Sequence, residues 1–219
     1  MKEENTVPLP HLLRLALSYA PHLSRDLFAS LFALDTKFAG IIRQSREPML
    51  AQMRLAWWRE TLEKPVQNQP SGDLLLATLA PWEGEEAALC GLAAGWEQLL
   101  AEPILEEKEI QAFAAARGEC FAALARLTGL SAYAETARTA GALWALADLA
   151  QGLSDTQERT TVHAIMNRTQ MPRQRLPRTL RPLTILAGLA RRSIAKGEGA
   201  LLVKPTDMIV AIRLGLIGR

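Results

Sequence analysis

The chain has only two cysteines, Cys90 and Cys120, placed on separate predicted helices and outside any metal-type spacing, so reduced, partly buried thiols are expected. Its three histidines, His11, His22 and His163, are scattered, and no His or Cys metal site is legible. Nor is there an apolar run long enough to cross a bilayer: TAGALWALADLA is short and contains Asp148. The opening MKEENTVPLP is polar and carries two acids, unlike a secretory signal or an Arg-rich transit peptide. The expected location is the cytoplasm, with at most peripheral contact at an anionic inner membrane. A formal charge of +2, with no zinc knuckle or arginine-rich segment, gives no case for nucleic acid. GxSxG, Walker A and dinucleotide fingerprints are all absent, and no nucleophile stands beside a base.

What is present favours helix. Apolar residues make up 49% of 219 and charged residues 22%, with Ala and Leu dominant and no flexible linker, which predicts one all-α domain over 1–219. Acids prevail between Glu83 and Glu119, among them Glu102, and many fall in predicted first turns, where they suit the positive helix end. Bases prevail from Arg159 to Lys196, including Arg173, Arg175 and Arg178. That segment reads either as a solvated face with helix-end arginines or as a site for anionic headgroups, an acidic partner or a diphosphate.

The most informative stretch is Leu23 to Glu63. Leu27, Leu31, Leu34, Phe38 and Ile41 recur at steps of three and four, with Phe28, Phe32, Ala39 and Ile42 beside them, so a helix starting near Ser24 is apolar over most of its girth. Asp35 lies within that surface. It is expected either to pair with Lys37, Arg43 or a neighbouring helix, or to do chemistry. Pro48 opens the next helix, in which Trp57 and Trp58 are expected in the core or, alternatively, along a lipid-shaped pocket. Arg54 and Arg59 have three readings: surface charges, stacking on the tryptophans, or binding an anion. Further helices are predicted over Pro8–Tyr19, Asp73–Leu79, Glu83–Leu100, Glu106–Leu127, Leu130–Gly152 and Thr156–Met171. A basic connection with Pro172, Pro177 and Pro182 leads into LTILAGLARRSIAKG, and a last helix starts at Pro205.

The run LFALDTKFAGIIRQ followed by RLAWWRE resembles the squalene and phytoene synthase family, and most closely a reduced branch that includes a mitochondrial complex I assembly factor. The resemblance implies an isoprenoid-synthase-type bundle of eight to ten helices around a central cavity. In active members two carboxylates at i and i+4 hold magnesium against a diphosphate. Here the comparable positions hold Ala39 and Gly40, with Asp35 one turn earlier and Arg43 one turn later. In the second motif Gly141 fits the family glycine, Asp148 falls about where the asparagine stands, and Gly152 replaces the first acid, with Asp155 nearby. The Arg175 to Pro177 run resembles the signature that follows.

These departures imply a non-catalytic protein that binds an isoprenoid-like lipid or a protein partner, with no cofactor, and the resemblance to the reduced branch implies a role in respiratory complex I assembly. The alternative is an active prenyltransferase with magnesium on Asp35, Asp148 and Asp155. Asp35 and Asp148 are the candidate catalytic residues; Asp148 reads either as sharing a cation with Asp35, or as paired with an arginine such as Arg138 or Arg175, or as reaching solvent. Arg43, Arg54, Trp58, Arg59 and Arg175 are the expected ligand contacts.

Overall fold

The computed structural model describes residues 8–45, 47–100, 104–170, 174–196 and 205–218. Among them helices are the only regular secondary structure, with ten α-helices and four short 3-10 turns. The opening stretch before Pro8, Glu102, and Met171, Pro172 and Arg173 of the basic connection lie outside the described residues.

Short α1 (His11–Ser18) leads through Pro21 into α2 (His22–Gln44), the longest helix. The expected cap at Ser24 is not used: the helix starts earlier, and the Ser24 hydroxyl donates to the Thr179 carbonyl at 2.7 Å, tying α2 to the turn at Arg178–Leu180. Helix α3 (Pro48–Leu62) begins on its proline, as a residue without an N–H should. Asp73 caps α4 (Leu74–Thr78) by accepting from the Leu75 and Leu76 N–H groups. Next come α5 (Glu86–Gln98), α6 (Glu107–Leu127) and α7 (Ala134–Gly152). The chain ends with α8 (Thr156–Arg168), α9 (Arg181–Lys196) and α10 (Pro205–Ile217).

The most extensive packing is α6 on α7, and the reason lies in two glycines. A Cβ on Gly118 would stand 2.6 Å from the Arg138 carbonyl oxygen, and one on Gly141 would stand 2.3 Å from the Phe121 ring. Only residues without side chains let the two backbones approach this closely. The turn between them uses a third glycine, Gly129, at φ +74°. Its N–H donates to the Arg126 carbonyl and that of Leu130 to the Ala125 carbonyl, a Schellman cap that ends α6.

Helix α5 packs on α6, α3 on α5, α9 on α7 and α10 on α9. Their buried apolar side chains form one continuous cluster with Phe28, Phe32, Phe38, Phe113, Phe121 and Trp82 wholly enclosed. No helix among the described residues is long and apolar enough to cross a membrane.

Candidate functional site

Asp35 faces inward from the middle of α2 because the apolar stripes on both sides of it are buried. Directly opposite comes Arg117 of α6, the residue next to Gly118, so the close α6 to α7 crossing fixes its backbone. Its guanidinium donates through Nη2 to Asp35 Oδ2 at 2.5 Å and through Nη1 to Asp148 Oδ2 of α7 at 2.9 Å. The other oxygen of Asp35 accepts from Trp96 Nε1 of α5 at 2.9 Å. One cation therefore joins two acids that lie 113 positions apart in the chain, 82 from Asp35 to Arg117 and 31 from Arg117 to Asp148.

Rings enclose this bridge. The guanidinium carbon lies 3.9 Å from the centre of Trp144, 5.2 Å from Phe113 and 5.6 Å from Trp96. Cation–π attraction is strongest where water is excluded. Asp35 and Arg117 are buried, whereas the Asp148 side chain is 41% exposed and brings the bridge to the surface. Burial pushes the Asp35 carboxyl above its ordinary range, with the Arg117 charge and the Trp96 N–H pulling against it and the Asp148 charge adding to it. Burial also opposes the charge on Arg117, but the two carboxylates outweigh it and hold the guanidinium protonated.

Asp35 faces an arginine in a filled core rather than an open cavity: the space bounded by Phe32, Asp35, Arg117, Phe121 and Trp144 leaves no room for a water molecule. Pairing of Asp35 with a neighbouring helix, and of Asp148 with an arginine, is what the structure has, through Arg117 of α6 rather than through Lys37, Arg43, Arg138 or Arg175. Arg138 instead bonds Glu119 and Glu135, and Arg175 is exposed in the connection before α9.

Magnesium needs a near-octahedral set of oxygen donors. Both Asp35 oxygens are engaged, one Asp148 oxygen is taken, and a fixed guanidinium already supplies the positive charge between them. Asp155 is elsewhere, capping α8 by accepting from the Gln157 and Glu158 N–H groups. The residues present do not fit the ion.

The expected ligand contacts separate. Arg59 pairs with Glu97 of α5 at 3.2 Å, and Arg43 is exposed outside any pocket described. Arg54 and Trp58 do come together, in a groove of about 440 Å³ between α2 and α3. Lys37, Gly40, Ile41 and Gln44 form its α2 side; Leu50, Met53, Arg54, Trp57 and Trp58 form its α3 side. By helical period this is the face of α2 opposite Asp35. The core reading of the tryptophans holds for Trp58, which is buried edge-on to Phe38, but not for Trp57, which is 45% exposed.

Arg117 is the residue that the sequence reading missed. Its signal was available: Ile110, Phe113, Arg117, Phe121 and Leu124 recur at three and four, a cation inside the apolar stripe of α6. Gly40 and Lys37 as walls of a groove carried no comparable signal, because that groove exists only once α3 folds against α2. No protein-family model, curated protein or solved structure matches this chain.

Proposed function

We propose that this chain is a non-catalytic protein built on the isoprenoid-synthase plan, a degenerate relative of the squalene and phytoene synthases that binds an isoprenoid-like lipid or a protein partner. The observation carrying the proposal is the Arg117 guanidinium held between Asp35 and Asp148. A diphosphate bridged by metal needs carboxylates open to a cavity. Here the carboxylates serve the protein's own cation, and aromatic rings fill the remaining space. The helical architecture, the RLAWWRE segment and the acid-poor motif positions agree with this reading. The complex I assembly role rests on the resemblance alone and gives the setting in which a partner would be sought.

Incubation with farnesyl or geranylgeranyl diphosphate and magnesium tests the proposal. The expected result is no condensation product. A head-to-head product that disappears in Asp35→Ala would overturn it in favour of a working prenyltransferase.

A further inference from the structure

The α2 to α3 groove lies on the face of α2 away from the aspartates and takes no part in their bridge. Its floor is made by Gly40, Ile41 and Trp58. A Cβ built on Gly40 meets nothing within 4 Å, so the missing side chain is what leaves the floor open. An interior helix glycine costs stability, and no close backbone approach explains this one, in contrast to Gly118 and Gly141. Above the floor, Leu50, Met53 and Trp57 are 46%, 63% and 45% exposed, an apolar rim left facing water. The volume of about 440 Å³ falls in the ~300–1,000 Å³ range of small-molecule sites.

Charge narrows the occupant further. Lys37 and Arg54 border the groove, and among the described residues none that lines it is acidic. Two cations over an apolar trough match one chain carrying close to two negative charges at its end, which a phosphate monoester has at neutral pH and a carboxylate does not. Arginine's planar fork also favours phosphate oxygens. The concave floor suits an inserted chain better than the flat surface of a bilayer.

We infer that this groove binds a free, single-chain phosphate monoester, with the chain over Gly40, Ile41 and Trp58 and the phosphate between Lys37 and Arg54. The inference deepens the binding role proposed above by naming a ligand class, but it uses none of the aspartate geometry. Failure here would leave the Arg117 bridge standing, and prenyl condensation would leave the groove untouched.

Isothermal titration of the full chain with dodecyl phosphate, below its micelle concentration, is the test. Dodecyl phosphate is expected to bind at least tenfold more tightly than dodecyltrimethylammonium and about fivefold more tightly than dodecanoate. Gly40→Leu, whose Cβ meets nothing within 4 Å, should weaken binding tenfold or more while leaving the circular dichroism and Tm at or above those of the parent. Lys37→Gln and Arg54→Gln should each weaken it about fivefold, and less at high salt. Equal affinity for the cationic amphiphile, indifference to Gly40→Leu, or binding only to vesicles containing phosphatidic acid would overturn the inference.

Discussion

Replacing Arg117 by Met is the sharpest probe of the interior. Met keeps an unbranched apolar stem but ends short of the guanidinium that lies over Trp144, and it leaves the buried Asp35 with the Trp96 N–H alone. Removing one partner of a buried ion pair costs roughly 3–5 kcal/mol, because the remaining charge is left without compensation. The lost cation–π contact adds about 1 kcal/mol. With a urea slope of about 2 kcal/mol per molar, the unfolding midpoint should fall by roughly 2–3 M.

The loss should also depend on pH. In the parent, burial already raises the Asp35 carboxyl, and Arg117 is the strongest influence lowering it. Without Arg117 its folded pKa rises further above the unfolded value, so the folded state holds the proton more tightly. The destabilisation is then smallest at low pH and grows as pH rises through the folded value. Asp35→Asn combined with Arg117→Met should be more stable than Arg117→Met alone at pH 7. A single variant within about 1 kcal/mol of the parent, or two substitutions whose effects simply add, would refute the account of a mutually dependent buried bridge.

Other consequences are as direct. Gly141→Ala should destabilise by roughly 1–3 kcal/mol despite alanine's better helix propensity, since its Cβ meets the Phe121 ring and the Gly118 backbone; thermal unfolding measures this. Asp155→Ala should remove the α8 cap at a cost of about 1 kcal/mol, read by urea unfolding, without changing any ligand affinity. For Glu119, burial pulls the carboxyl up, but hydrogen bonds from Arg138 and Arg126 outweigh it and hold the group below its usual range. Its contribution is therefore present above the unfolded pKa and lost as pH falls through the folded one, so Glu119→Gln should flatten the acid limb of the stability profile.

Periodicity made most of the architecture legible. The stripe of Leu27, Leu31, Leu34, Phe38 and Ile41 marks a core helix, and Pro48 and Pro205 sit where helices begin. Helix ends were harder: Ser24 looks like a cap in isolation, yet its hydroxyl serves a carbonyl 155 residues away. The burial of Asp35 was legible too, from the apolar residues flanking it. Its partner was not, because an arginine inside an apolar stripe can snorkel to solvent or turn inward, and only the α6 to α7 crossing decides which. Trp57 and Trp58 show the same limit: adjacent residues on one helix differ by 100° in direction, and the neighbouring helices determine which of them stays wet.

One hydroxyl joins Ser24 of α2 to Thr179 just before α9, and the arginine bridge likewise joins α2, α6 and α7. Both need segments made early and segments made late. During synthesis α2 emerges with a carboxylate that has no counter-charge until α6 follows, and the pair stays open on one side until α7 closes over it. The bridge is thus complete only once α7 has been made, and a chain truncated before Asp148 would lack the second carboxylate that holds Arg117.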